Sequence, residues 1–215
     1  MPRRVRTKVI PTTHPTAIEQ ALQVLRAGGL VAFPTDTVYG VGALAFLAPA
    51  VEQIYRAKGR SRHKAIPILL DSADRLPEVT EDVPQEASLL AEKFWPGPLT
   101  IVLRRKSTVP DVITASGPSV AVRVPDHEFA QRLIAAAGGA LAATSANLSR
   151  RPDPVTAEEV LSNLRGRVDL ILDGGPCPGG IPSTVIDLTR SLAQVVRWGA
   201  TKPGALEEAL GRQLL

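Results

Sequence analysis

The chain holds one cysteine, one methionine, three histidines and only 4% aromatic residues in its 215. A single thiol, Cys177, can form neither an internal disulfide nor a thiolate cluster, which fits a reducing compartment. His14, His63 and His127 are scattered without metal-ligand spacing, so nothing points to structural zinc. No apolar run approaches the roughly 18 residues of a membrane span. The opening Met1-Pro-Arg-Arg-Val-Arg-Thr-Lys8 lacks the apolar stretch that follows the charges of a signal peptide. A cytoplasmic protein with no membrane contact is therefore expected. Absent too are the G-x-x-x-x-G-K-[ST] loop and the G-x-S-x-G elbow, which argues against P-loop and nucleophile-elbow chemistry.

What is present is a 44% hydrophobic chain carrying a net charge of +4, enough apolar content for a sizeable core and a mild preference for anionic partners. The basic excess gathers at Arg3 to Lys8, Arg56 to Lys64 and Arg104 to Lys106. No linker, internal repeat or low-complexity segment divides the sequence, and helical and strand patterns alternate throughout. The expectation is one α/β domain over 1–215, with its core over about residues 16–198, a short basic N-terminal segment and a C-terminal helix.

Thr16 is placed to cap a helix to Arg26 with Ile18, Leu22 and Leu25 on one face, ended by Gly28-Gly29. Leu30 to Phe33 reads as a strand buried on both faces and stopped by Pro34. Val38 to Ala45 is a second apolar segment, and Pro49 opens a helix to about Ala57. Ile66 to Leu70 reads as a strand, Gln85 to Trp95 as a helix, Leu99 to Leu103 and Val120 to Val124 as strands, and His127 to Ala137 as a helix. Ala140 to Ala143 is a buried strand; a helix at Ala157 to Leu164, strands at Leu170 to Asp173, Thr184 to Leu188 and Gln194 to Arg197, and a helix from Pro203 follow.

The stretch from Tyr55 to Leu70 passes from dense positive charge straight into an apolar strand. In an extended segment Arg56, Lys58, Arg60, Arg62 and Lys64 would share one side, and Gly59 would let a ligand approach the backbone. Such a junction at the rim of a buried sheet is where open α/β folds place ligands, and its charge calls for an anion. Polar clusters Thr35-Asp36-Thr37 and Thr144-Ser145-Ala146-Asn147 follow apolar strands; each alone is explained by turn chemistry. With the basic junction they supply what a triphosphate needs: point charge from Lys58, a forked donor from Arg60, and short donors from Ser145 and Asn147. Gly40-Val-Gly42-Ala-Leu-Ala45 matches a dinucleotide fingerprint only formally, because Pro34 and the polar turn interrupt the first strand, and its glycines read as tight packing. Cys177 reads as a loop filler. Glu158-Glu159 reads as a pair placed by the helix dipole.

Gly29-Leu-Val-Ala-Phe-Pro-Thr-Asp-Thr-Val-Tyr-Gly40, Lys58-Gly-Arg60, Phe94-Trp-Pro-Gly-Pro-Leu-Thr100, Val122-Arg-Val-Pro125 and Ser145-Ala-Asn147 resemble the YrdC-like family, the threonylcarbamoyl-AMP synthases, from about Thr16 to Arg197. The resemblance implies a twisted mixed sheet with flanking helices and a concave basic ligand-binding face. It implies a nucleotidyl transferase that converts L-threonine, bicarbonate and ATP, with Mg²⁺ on the phosphates, to threonylcarbamoyl-AMP and pyrophosphate. That product serves the t6A modification of tRNA, so the implied partners are the t6A transferase machinery and, as a candidate, tRNA or other RNA. Carried over residue by residue, Lys58 and Arg60 are catalytic and bind ATP together with Ser119, Ser145, Asn147 and Arg197. Thr35, Arg123, Ala143 and Ser183 approach the threonine. No dedicated protein metal site is implied.

This chain departs from the family pattern at three places. Asp71 stands where some members have histidine, Ile181-Pro182 precedes Ser183-Thr184, and Arg150-Arg151 follows Ser149 where glycine is common. The extra C-terminal domain of longer members is not expected. A competing class is an RNA-binding module using the same basic face without chemistry, whose affinity would fall steeply with salt. Carbamoyl transfer, as in hydrogenase-maturation proteins, would bring zinc-finger and acylphosphatase modules that are not seen.

Overall fold

A computed structural model describes residues 5–214. Arg3 and Arg4 of the basic N-terminal segment lie outside the described residues. The strands are β1 (Lys8–Pro11), β2 (Val31–Phe33), β3 (Gly40–Leu44), β4 (Ile68–Leu70), β5 (Leu99–Arg104), β6 (Ser119–Arg123), β7 (Ala140–Ser145), β8 (Leu170–Asp173), β9 (Thr184–Asp187) and β10 (Gln194–Arg197). The helices are α1 (Ala17–Arg26), α2 (Ala48–Lys58), α3 (Leu76–Val79), α4 (Gln85–Phe94), α5 (Asp111–Thr114), α6 (Glu128–Ala136), α7 (Ala157–Leu164) and α8 (Pro203–Leu210). All ten strands join one mixed sheet in the order β1-β8-β2-β3-β7-β4-β6-β5-β9-β10.

Alternation along the strands sends side chains to two cores. Val31, Phe33, Leu69, Leu141, Leu170 and Leu172 pack with Ala17, Ala21 and Leu25 of α1 and Ala130, Leu133 and Ile134 of α6. Ala32, Ile68, Leu70, Ile101, Val122, Ala142 and Ile171 face the opposite way, into the larger core that holds α2, α4, α7 and α8. On the first face α1 packs over β2, β3 and β8, and α6 over β4 and β7. Among the described residues no helix of comparable contact covers that face over β6, β5, β9 and β10. The strands there replace apolar residues with Thr100, Ala121 and Arg123, and the uncovered floor becomes a cavity.

Several local expectations are corrected. On α1 the buried stripe is Ala17, Ala21 and Leu25, with Ile18 and Leu22 flanking it half-buried. The run from Arg56 to Lys64 is not extended, because α2 continues through Lys58 and Gly59 closes it at φ 60°, a left-handed position that suits glycine. The charges therefore diverge. Arg56 is exposed, Lys58 is buried and Arg62 pairs with Glu52. The strand expected from Ile66 begins at Ile68, since Pro67 has no N–H for the ladder, and the Ile66 N–H donates instead to the Ile113 carbonyl. Glu159 does more than meet the dipole: with Thr156 it completes a capping box at the start of α7. The packing reading of the glycine pair holds at Gly42, where a Cβ would lie 3.1 Å from the Ala142 carbonyl and 3.2 Å from the Phe33 ring.

Candidate active site

The cavity has a volume of about 440 Å³, within the range of small-molecule sites. Its wall brings together Thr35, Arg60, Arg123, Ala143, Ser145, Ser183 and Arg197, which are far apart in sequence. Two segments at strand ends build one side. Between β2 and β3, Thr35 folds its own turn: its hydroxyl accepts from the N–H groups of Thr37 and Val38 at 3.2 and 3.3 Å and donates to the Val38 carbonyl at 2.7 Å. That internal use leaves the turn rigid and buried. The glycine-rich loop after β8 lies against it, since a Cβ on Gly179 would meet the Asp36 carbonyl oxygen at 2.6 Å. Tyr39 fastens the same loop, its hydroxyl donating to the Gly175 carbonyl at 2.8 Å, and burial pushes its pKa up to about 12.

Arg123 occupies the floor at 6% exposure. Its guanidinium donates to the Asp36 carboxylate, to the Thr37 hydroxyl at 3.0 Å and to the Gly97 carbonyl at 2.9 Å. Burial pulls its pKa down and the Asp36 charge opposes that pull. Ala143 lines the same cavity from β7, one strand beyond β4, its N–H held by the Pro67 carbonyl at 3.0 Å. Ser183 shares a hydrogen bond of 2.8 Å with Thr100, and its carbonyl accepts two bonds from Arg197 at 2.7 and 3.2 Å.

The opposite end is cationic. Arg60 lines the cavity and donates to the Lys64 and Ala65 carbonyls at 3.2 and 2.7 Å. Lys58 lies beneath, 3% exposed, and is not part of the lining. Its ammonium donates to the Ser145 carbonyl, to the Asn147 carbonyl at 2.7 Å and to Asn147 Oδ1 at 3.0 Å. The Ser145 hydroxyl donates to the same Oδ1 at 2.7 Å. Burial and the neighbouring Arg60 pull the Lys58 pKa down to about 7, and Asp153 opposes them. Burial also lowers the pKa of Arg60 and of Arg197, and Asp153 opposes the shift at Arg197. A β-bulge between Val195 and Arg197 lets both Val196 and Arg197 reach the cavity.

The structure thus gathers Thr35, Arg60, Arg123, Ala143, Ser145, Ser183 and Arg197 on one surface. It sets Lys58 and Asn147 behind it as the support of the Ser145 loop. Ser119 begins β6 on the same face as Ala121 and Arg123 but outside the lining. Asp71 is held by Arg75 at 3.1 Å and is likewise outside it. Pro182 belongs to the wall, whereas Ile181 points away at 54% exposure. Arg150 takes φ 71°, the left-handed region that glycine would fill without strain. Cys177 is buried, its thiol pKa raised by that burial. Reasoning from the sequence missed Asp36 as the partner of Arg123, and also Tyr39, Thr100, Asp153 and Val196. Asp36, Tyr39, Thr100 and Asp153 were signalled only by polarity in a turn, beside apolar strands or between prolines, and Val196 by nothing.

Among the described residues no cluster of three or more His, Cys, Asp or Glu could hold a metal ion, and no helix is long and apolar enough to cross a membrane. The donor set of the cavity suits a metal carried on phosphate oxygens: hydroxyls, cations and one carboxylate, Asp153.

Comparison with known proteins places this geometry. A threonylcarbamoyl-AMP synthase of Pyrococcus abyssi is 43% identical over 194 residues, covering 90% of this chain and 57% of that protein. One of Bacillus subtilis is 40% identical over 204 residues, covering 93% and 58%. The chain therefore spans less than two thirds of the length of these relatives. The crystal structure of P. abyssi Sua5 complexed with L-threonine superposes with a TM-score of 0.91 at 40% identity, covering 98% of this chain and 62% of that one. The family model for Sua5, YciO and YrdC, described as telomere recombination, matches residues 23–199. On that match, and on relatives alike in both sequence and fold, the chain belongs to the Sua5/YciO/YrdC family.

Proposed function

We propose that this chain is an L-threonylcarbamoyladenylate synthase, joining L-threonine, bicarbonate and ATP into threonylcarbamoyl-AMP with release of pyrophosphate. The observation that carries the reading is one cavity that joins a rigid, charge-compensated floor at Thr35 and Arg123 to the cations Arg60 and Arg197, with Ser183 as the contact between floor and cations. A relative crystallised with L-threonine supports L-threonine as one of the reactants.

In this reading the threonine amine takes up CO₂ and loses a proton, giving a carbamate. A carbamate oxygen attacks the α-phosphorus of ATP as the bond to the β-phosphate oxygen breaks, and pyrophosphate leaves. The protein supplies no nucleophile. Its share is to hold the two reactants in line and to stabilise charge on the departing phosphates, the usual resources of phosphoryl transfer. Arg60 and Arg197 present guanidinium donors whose partners are backbone carbonyl oxygens, acceptors that a phosphate can outcompete. Lys58 adds positive charge from below and fixes the Ser145 loop, whose hydroxyl opens on the cavity. Mg²⁺, when bound, neutralises phosphate charge; the chain offers Asp153 and the Ser145 hydroxyl toward it. The product is a mixed anhydride, reactive enough to need an acceptor close by, and a tRNA adenosine delivered by the t6A transferase machinery fits that need.

Pyrophosphate release from ATP tests the reading. Release that requires both threonine and bicarbonate is expected. Release indifferent to threonine would overturn it, and salt-sensitive RNA binding with no release would favour the non-catalytic alternative.

A further inference from the structure

Asp153 is the one carboxylate on a cavity wall otherwise made of cations, hydroxyls and apolar groups. Among the described residues its side chain forms no ion pair and accepts no hydrogen bond. An unpaired negative charge beside a site for a polyanion repels the ligand unless something positive arrives with it. The obvious alternative is a counter-ion that keeps the cavity cations in place. Each of those cations is already positioned by other groups: Arg60 by the Lys64 and Ala65 carbonyls, Arg197 by Ser183, and Lys58 by Ser145 and Asn147.

The backbone presents this carboxylate with little freedom. Pro152 and Pro154 flank it with fixed φ, the Pro154 carbonyl accepts from the Tyr39 N–H at 2.9 Å, and the Val155 carbonyl accepts from the Cys177 N–H at 2.8 Å. Asp153 lines the cavity together with Arg60 and Arg197, and its field reaches Arg197 and the underlying Lys58. A hard divalent cation bound to phosphates is commonly completed by one or two protein carboxylates and water.

We propose that Asp153 is the protein's contact with the divalent cation carried on the nucleotide's phosphates, so that the cavity selects the metal-bound nucleotide over the free one. The inference rests on the nucleotide reading above and adds the residue that makes the metal a condition of binding.

The test is calorimetric titration with α,β-methylene-ATP, which cannot be split at the scissile position, in excess Mg²⁺ and again in EDTA, for the wild type and Asp153→Asn. The wild type is expected to prefer the Mg²⁺ form by about tenfold or more; the variant loses most of that preference, binding the Mg²⁺ form more weakly and the free form as well or better. Mn²⁺ in place of Mg²⁺ gives a second readout: its paramagnetic resonance spectrum in the nucleotide complex should differ between the two proteins. Equal changes in both forms would reduce Asp153 to a counter-ion, and no preference in the wild type would overturn the proposal outright. A wild type that binds neither form would instead remove the nucleotide reading itself, a distinguishable failure.

Discussion

The two ends of the cavity hold their arginines in different ways. Arg123 is nearly enclosed, neutralised by Asp36 and tied to Thr37 and Gly97. Arg60 donates to backbone carbonyls and Arg197 to the Ser183 carbonyl and hydroxyl, neutral acceptors that form no ion pair with either. A buried arginine with its own carboxylate is part of the scaffold; one bonded only to neutral oxygens at a cavity wall is open to an anion. In the proposed function the first kind shapes the place of the amino acid, and the second that of the phosphates.

Breaking this contrast should cost stability at one end and activity at the other. Arg123→Leu strands Asp36 in the interior, so a loss of about 3–5 kcal/mol is expected in denaturant unfolding. Arg60→Ala should melt near the wild type yet form adenylate far more slowly, because removing a charged partner of the phosphates costs about 2–5 kcal/mol, several tens-fold and upward. Lys58→Ala should lose comparable activity and also some stability, because the Ser145 and Asn147 acceptors lose their buried donor. Near-normal pyrophosphate release by both variants would move the nucleotide elsewhere.

Sharpening the contrast needs smaller effects. Serine lacks one methyl of threonine and should be disfavoured by about 1–3 kcal/mol, while valine, which leaves polar partners unmet, should be rejected more strongly. Thr35→Ala should lower affinity for threonine more than for ATP, since it loosens the turn that Thr35 itself ties. Pyrophosphate release with each amino acid at saturating ATP measures both.

The smallest expected effect is a fraction of a proton. Lys58, with its pKa drawn down from 10.5 to about 7, is partly neutral in the free protein at mildly alkaline pH. Phosphates arriving above it favour the charged form, so nucleotide binding at about pH 8 should take up protons, read as a dependence of binding heat on buffer ionisation. Lys58→Met should abolish the uptake. The same depressed value means that the unfolded chain holds more protons between pH 7 and 10.5, so this group's contribution to stability rises with pH across that window.

Much of the frame was legible because its cues are local. Helix α7 and strands β8 and β10 fall at their expected bounds, set by capping residues and short apolar runs. β1 escaped notice because only Ile10 of its four residues is buried, which leaves no period to read. The basic run was misread as extended because every-second-residue charge is equally compatible with a helix end, and only the φ of Gly59 decides. At the site, Lys58-x-Arg60 and Ser145-x-Asn147 drew attention through their chemistry. That Lys58 would turn inward beneath the other pair could not be seen, since the contact joins residues 87 and 89 positions apart. Asp36 with Arg123 is the same case at a separation of 87.

The order of the sheet has a consequence in time. Only β2 with β3, β5 with β6, and β9 with β10 pair with a neighbour in sequence; β1 waits for β8, and β5 for β9. Each such closure orders a long loop before any contact rewards it, so folding is expected to be slow for a domain of this size. The cavity wall is complete only when Arg197 on β10 joins Arg60 and Thr35. During synthesis β10 must therefore emerge before the cavity wall can close, and until then the waiting edges of β3, β4 and β5 are open to pairing with other chains.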